Sequence, residues 1–252
     1  QNNNLIYPKN TDKSSKIIAN DVIQASPVIK SADFIEIELD KLKDYELLSL
    51  QFDEKNYSVQ KDKMKIRGVN NFSFFAKNEN GDGNIILSVL NNDIQGIITQ
   101  RHDLYRITTA QNGEYVLTKI DQSKYPEEKC HNILEQDTKS NKKSENSYDS
   151  DDEIKSTIDN TTMLKSAAVY ECKIRVLVMY TPAAESAVSN IRNTIQLAVD
   201  ETNQSFTNSN VTYEVELVYV EETSYTEVDI DTDLDRFVTD GDGYMDEVHD
   251  LR

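Results

Sequence analysis

The sequence predicts an α+β fold, in which a β-rich antiparallel part is followed by the first part of an α/β domain. Between residues 72 and 121, short runs of β-branched and aromatic residues alternate with turn residues, which is typical of an antiparallel meander. From residue 173 onward the pattern becomes strand, helix, strand, which predicts a crossover unit with parallel strands. A charged stretch that is poor in apolar residues separates the two patterns.

These patterns divide the chain into four segments. Residues 1–30 are polar with scattered apolar positions, and we expect them to be poorly ordered. Residues 31–135 are predicted to form the β-rich domain. Residues 136–168 are dense in charge and predict an acidic flexible linker. Residues 169–252 carry the α/β pattern.

The β-rich domain is built from short alternating strands. Its first strand is predicted at residues 34–39, where the alternation places Ile35 and Ile37 on one face. Further strands between residues 72 and 121 are separated by Asp-Gly, Asn-Gly and other polar turns. Loops this short leave no room for helical crossovers, so we expect neighbouring strands to pair antiparallel.

The α/β pattern begins with an apolar strand at residues 173–180. Thr181 and Pro182 follow, and these residue types suit the cap and the first position of a helix. Apolar residues then recur every three or four positions as far as Phe206, which predicts one helix of about six turns. Residues 211–220 alternate again and predict a second strand, parallel to the first.

Charge and the two chain ends indicate the kind of protein. The 252 residues include 27 Lys and Arg against 45 Asp and Glu, a formal net charge of −18, so nucleic acid is not an expected partner. No apolar run approaches the roughly 20 residues of a membrane helix. The polar start lacks a signal peptide and is typical of a mature end after signal removal, or of an artificially chosen start. A helix pattern near Asp242 reaches Arg252 without a cap, so we expect a fragment.

Residues 172–252 resemble the start of bacterial reprolysin-like (adamalysin-type) zinc metallopeptidases. The resemblance rests on the strand that leads into Tyr180-Thr181-Pro182, on the helix end at residues 203–209 and on the sequence of residues 242–252. Upstream, the strand and turn pattern of residues 87–107 resembles the pro-domain of the same family. The family's diagnostic residues found here carry no catalytic chemistry.

The resemblance implies the precursor of a secreted zinc-dependent metalloendopeptidase that hydrolyses peptide bonds of proteins. It implies a β-rich pro-domain that maintains latency, followed by the beginning of a metzincin-like peptidase domain. The expected partners are protein or peptide substrates of the complete enzyme and an activating protease that cuts the linker, where Lys142-Lys143 is a dibasic pair. The alternative is a non-catalytic binding or inhibitory module, made of a β domain tethered to an α/β domain.

The zinc motif of that family, His-Glu-x-x-His-x-x-Gly-x-x-His, does not occur in the sequence. In that motif two His four residues apart hold zinc, and the Glu between them activates the metal-bound water. None of the three histidines, His102, His131 and His249, lies three or four residues from another. We therefore name no catalytic residue and no metal ligand, assign zinc to the complete enzyme, and expect this chain alone to be inactive.

Two cysteines remain as candidate site residues. Cys130 lies between the β-rich domain and the linker, and the resemblance implies a latency switch in which its thiolate fills the open zinc position. A disulfide with Cys172 or with another cysteine, or an inert thiol, is the alternative interpretation. Cys172 is the candidate for a structural disulfide.

The acidic loop near residue 229 raises the question of calcium, because Asp229, Asp231, Asp233 and Asp235 alternate along it. An EF-hand loop needs Gly at its sixth position and Glu at its twelfth. Counting from Asp229 or from Asp240, neither residue type stands at either position. A solvated loop with helix caps is therefore the favoured interpretation, and calcium is kept as the alternative.

Overall fold

The structure is a computed structural model that describes residues 3–10, 22–24, 26–110, 112–125 and 173–251. Within the described residues, nine strands make up the amino-terminal part: β1 Asn4–Pro8, β2 Ile29–Ile37, β3 Leu47–Phe52, β4 Lys55–Gly68, β5 Asn71–Asn78, β6 Gly83–Leu90, β7 Asp93–Gln100, β8 Asp103–Thr109 and β9 Tyr115–Ile120. A short helix, α1 (Lys41–Asp44), lies between β2 and β3, and a 3₁₀ turn at Gln122–Lys124 follows β9.

The nine strands form a closed barrel in the order β1-β2-β9-β8-β7-β6-β5-β4-β3. Every neighbouring pair is antiparallel except β1 and β3, which run parallel and close the barrel. The tight turn between β3 and β4 places Asp53 and Glu54 in the left-handed region, with φ of 51° and 56°. Two such residues define the hairpin turn whose twist matches that of the flanking strands.

Alternation along the strands sends one set of apolar side chains into the barrel, where they form the main core. Phe52 is at its aromatic centre, with ring centroids 4.6 Å from Tyr57 and 4.9 Å from Tyr105. Gly96 is required by this packing, because a Cβ at that position would lie 2.6 Å from Leu87 Cδ2. The barrel interior is therefore filled by side chains.

The carboxy-terminal segment, residues 173–251, contains the strands β10 (Lys173–Tyr180) and β11 (Glu214–Glu222), which pair in parallel. Its helices are α2 (Pro182–Ser186), α3 (Ile191–Asn208), α4 (Ile230–Val238) and α5 (Glu247–Asp250). Thr181 caps α2 by accepting a hydrogen bond from the Ala184 N–H, and Asp229 caps α4. Among the described residues, the barrel strands and the carboxy-terminal segment belong to one compact unit.

The α+β fold class predicted from the sequence is wrong. The protein is mostly β, with a closed nine-stranded barrel and few helices, and its carboxy-terminal segment is not an α/β metzincin-like peptidase domain. The strand, helix and strand expected there do form with parallel strands, but they make one two-stranded sheet. A single crossover unit does not build the layered sheet of an α/β domain, since such a sheet needs several strands.

Several local predictions are confirmed and others are corrected. The meander predicted at residues 72–121 corresponds to β5–β9, and all four neighbouring pairs are antiparallel. The single long helix is two helices, because the chain leaves helical geometry before Asn190 and that side chain caps α3. Strand β1 lies within residues 1–30, the segment expected to be poorly ordered. Among the described helices, none has the length and hydrophobicity to cross a membrane.

Candidate functional site at the barrel–α3 interface

The outer face of strands β5, β6 and β7 is buried, although it points away from the barrel core. Side chains that alternate with the core residues, such as Ser73, Phe75 and Ile86, are at most 2% exposed. An outward side chain of a barrel is buried only if another element covers it. Helix α3 provides that cover, and we call this contact the barrel–α3 interface. It comprises Ser73, Phe75, Ile86, Ser88, Asp93, Gln95 and Ile97 of the barrel, and Ser189, Asn193, Leu197 and Asp200 on or beside α3.

An apolar cluster forms the centre of the barrel–α3 interface. Leu197 projects from the middle of α3 and packs with Phe75 and Ile86, while Ile97 lies against the cluster from β7. The Leu197 residue is only 5% exposed to solvent. Burial of one such side chain is worth about 1.5–3 kcal/mol, so the cluster gives the contact its hydrophobic component.

Asp93 organises the interface at the amino-terminal end of α3. Its carboxylate accepts hydrogen bonds from Asn193 Nδ2 at 2.6 Å, from Ser189 Oγ at 3.0 Å and from Gln95 Nε2 at 3.3 Å. Asn193 Nδ2 also lies 3.1 Å from the backbone carbonyl oxygens of Ser88 and Asp93. A carboxylate at the first turn of a helix also interacts favourably with the helix dipole.

Asp200 organises the other end of the interface. Its carboxylate is 1% exposed and accepts a hydrogen bond from Ser73 Oγ. Arg67 of β4 donates to Ser73 Oγ at 2.7 Å, and its guanidinium lies 3.9 Å from the Asp200 carboxylate. Burial raises the pKa of Asp200, while Ser73 and Arg67 oppose that shift.

Basic side chains of β4 face the acidic carboxy-terminal segment. Lys63, Lys65 and Arg67 alternate along the strand, so they share its outer face. Lys65 Nζ lies 2.8 Å from Glu214 Oε1 of β11, and this contact lowers the pKa of Glu214. Lys63 Nζ lies 4.6 Å from the centre of the Phe75 ring. The charges of β4 and of the carboxy-terminal segment are therefore complementary.

The interface also contains buried polar atoms without a partner. Among the described residues, Ser88 Oγ and Asn193 Oδ1 are buried and accept or donate no hydrogen bond. Each unpaired buried group costs about 1–3 kcal/mol, which partly offsets the apolar contact. The interface thus combines a small apolar centre with polar ends.

The residues singled out in the sequence lie elsewhere. Cys130 and Cys172 fall outside the described residues, and the linker of residues 136–168 does too. His249 lies on α5, with a buried Nε2 that has no hydrogen-bond partner within the described chain. Asp229 accepts from the Asp231 and Thr232 N–H groups, so it serves as a helix cap.

The described residues do not provide a metal site. No group of three or more His, Cys, Asp or Glu among residues 3–125 and 173–251, as far as they are described, could hold a metal ion. Neither zinc nor calcium therefore fits a ligand set in this part of the chain.

Sequence reasoning missed the barrel–α3 interface. The helical pattern predicts a buried apolar face, whereas the most buried side chains of α3 are largely polar: Asn193, Leu197, Asp200, Asn203 and Gln204. Asn193, Leu197 and Asp200 stand four and three positions apart, which places them on one face of the helix. Polar residues in line with Leu197 were the signal that this face meets a polar surface.

Comparison with known proteins relates the chain to bacterial peptidases. It is 32% identical over 163 residues to the peptidyl-Asp metalloendopeptidase of Xanthomonas campestris pv. campestris, a match that covers 63% of this chain and 35% of the relative. It is also 32% identical over 182 residues to the peptidyl-Asp metalloendopeptidase of Stenotrophomonas maltophilia strain R551-3, covering 70% of this chain and 40% of the relative. The protein of the same name from strain K279a gives the same identity and coverage.

The chain thus spans less than half the length of the curated relatives that it matches. No protein-family model matches it, and no solved structure does.

Proposed function

We propose that this chain is part of the precursor of a secreted zinc-dependent metalloendopeptidase, in which the barrel keeps the enzyme latent by holding the carboxy-terminal segment. The similarity to proteins named peptidyl-Asp metalloendopeptidase supports the peptidase activity. The reprolysin-like subtype is part of the proposal and rests on the sequence resemblance of residues 172–252. Protein or peptide substrates and zinc belong to the complete enzyme.

The observation that supports latency is the burial of Leu197 and Asp200 of α3 against the outer face of the barrel. The barrel is closed and has a core of its own, so its contact with α3 involves only its outer face, on strands β4–β7. Such a contact can open without unfolding the barrel. An inhibitory pro-region needs this property, since it has to hold the enzyme before activation and release it afterwards.

We propose that activation cuts the linker at residues 136–168. This segment contains Lys142-Lys143, which suits a trypsin-like activating protease, and also Asp149, Asp151 and Asp152. If the specificity that the relatives' name indicates extends to this chain, the aspartates of this segment make self-processing the second route. Mass spectrometry of the activated enzyme separates the two routes, because one leaves an end at a lysine and the other an end at an aspartate.

The experiment that tests latency compares precursors that contain these 252 residues and the complete peptidase. Ile86→Asp places a carboxylate in the centre of the barrel–α3 interface, where Ile86 is 2% exposed. Val69→Asp is the matched control, since Val69 is 92% exposed in a turn of the same barrel. We expect chelator-sensitive peptide hydrolysis by uncleaved Ile86→Asp, and none by wild type or Val69→Asp.

Equal latency of folded, uncleaved Ile86→Asp and wild type would contradict the inhibitory role of this contact. Circular dichroism at the β-sheet band verifies that the barrel remains folded in both variants. Hydrolysis that persists in excess chelator would contradict the metal-dependent mechanism.

A further inference from the structure

Asp200 is a buried carboxylate at the contact between the barrel and α3. It lies in the middle of α3, is 1% exposed and faces Ser73 of β5. The guanidinium of Arg67 is 3.9 Å away, at the outer limit of an ion pair, and it donates its closer hydrogen bond to Ser73 instead. The negative charge on Asp200 is therefore only partly compensated while the contact is closed.

We propose that Asp200, Ser73 and Arg67 form a proton-dependent latch between the barrel and α3, in which protonation of the Asp200 carboxyl tightens the contact and ionisation loosens it. The latch is a property of the contact itself. Its use for controlling latency rests on the function proposed above.

The direction follows from burial. The pKa of Asp200 is raised when the contact is closed, because the closed state removes water from the carboxylate. When the contact opens, water returns and the pKa moves toward the ordinary value of about 4. The closed state thus binds the proton more tightly, so acid favours closing. Stabilisation of the closed contact by this proton is fully present at pH values below the ordinary pKa of the open state. It is lost as the pH rises through the raised pKa of the closed state.

Neighbouring charged groups act on the same contact. Glu201 is next to Asp200 on α3, and burial raises its pKa while Arg106 lowers it. Because the net shift is upward, protonation of Glu201 also favours the closed contact. Glu214 acts in the opposite direction, because its pKa is lowered and its ion pair with Lys65 is lost only in stronger acid. The groups that interact with Asp200 from α3 and the packed strands are Lys63, Lys65, Arg67, Ser73 and Gln196. Other charged groups near this contact are Glu201, which interacts with Arg106, and Glu214, which pairs with Lys65.

The test measures opening of the contact directly in the 252-residue chain. Hydrogen–deuterium exchange of residues 191–208 is recorded at about pH 5 and about pH 8 and corrected for the intrinsic pH dependence of exchange. We expect severalfold stronger protection at the lower pH, since each unit of pKa difference corresponds to about a tenfold change in the closing equilibrium. Asp200→Asn, which mimics the neutral carboxyl, should be protected at both pH values. Asp240→Asn, at an exposed position of the same segment, should behave as wild type.

Three results would overturn the latch. The first is equal protection of wild type at both pH values. The second is the same pH dependence in Asp200→Asn as in wild type, and the third is an Asp200→Asn contact that is open at both pH values. If Asp200→Asn does not fold, carbon NMR of the wild-type carboxyl decides, because an ordinary pKa for Asp200 would exclude the latch. No outcome depends on peptidase activity, so the latch can fail while the proposed function holds, or the reverse.

Discussion

Asn193 is the polar side chain on which the amino-terminal end of the barrel–α3 interface depends most. It is 1% exposed, and its amide donates to the Asp93 carboxylate at 2.6 Å and to the backbone carbonyl oxygens of Ser88 and Asp93 at 3.1 Å. Substitution by alanine removes these bonds and leaves buried acceptors behind. We therefore expect Asn193→Ala to open the interface while the barrel stays folded.

The size of the effect follows from the bonds that are lost. A hydrogen bond to a charged group is worth about 1.5–3 kcal/mol and one to a neutral carbonyl about 0.5–1.5 kcal/mol. Alanine is the better helix former by up to about 0.7 kcal/mol, which offsets part of the loss. The net weakening is about 2–5 kcal/mol, which corresponds to an opening equilibrium about 30- to 5,000-fold larger.

Native-state hydrogen exchange at constant pH measures this opening. In Asn193→Ala, peptides from α3 and from the covered strands β5–β7 should lose protection against exchange. The protection of peptides from β8 and β9 should not change. Ser205→Ala is the matched control, because Ser205 is exposed on the same helix and its substitution brings a comparable gain in helix propensity.

Two results would refute this reasoning. If Asn193→Ala and Ser205→Ala exchange alike, the three hydrogen bonds contribute nothing to the contact. If protection falls equally in β8, β9 and α3, the barrel and the carboxy-terminal segment unfold as one body and the interface cannot open separately.

Further predictions concern the barrel core and the ion pair beside the interface. Gly96→Ala should lower the free energy of unfolding by about 1–3 kcal/mol in urea titration, because the new Cβ would meet Leu87 Cδ2 at 2.6 Å. Gly68→Ala, whose nearest atom would be 3.9 Å away, should stay within about 0.5 kcal/mol of wild type. A double-mutant cycle of Lys65→Ala and Glu214→Ala should give a coupling below about 1 kcal/mol that vanishes in high salt, since both side chains are partly exposed.

Local structure could be predicted from the sequence where hydrophobic alternation was strong. The strands β5–β9 and the parallel pair β10 and β11 follow from such patterns. Strand β4 could not be found in this way, since its outer positions carry charge and much of its inner face is only weakly apolar. Closure of the barrel was also out of reach, because it depends on the pairing of β1 with β3, more than forty residues apart. No local pattern encodes such a contact.

The candidate site was less predictable than the fold. Asn193 and Asp200 look like solvent-facing residues in a helix that is otherwise amphipathic, and only the position of Leu197 between them indicates a buried face. Their partners, Asp93 and Ser73, are about a hundred or more residues away in sequence. Hydrogen bonds between distant polar residues leave no periodic signal, so this interface becomes visible only in three dimensions.

The solubility of the whole molecule depends on strand β1, the short amino-terminal strand Asn4–Pro8. Strand β1 pairs with β2 on one side and with β3 on the other. Deletion of residues 4–8 would therefore leave both β2 and β3 with an edge of unpaired backbone N–H and C=O groups. Such bare strand edges recruit further copies of the same chain and lead to aggregation. A cut of a few residues there would do more harm than a longer insertion at the exposed turn around Val69.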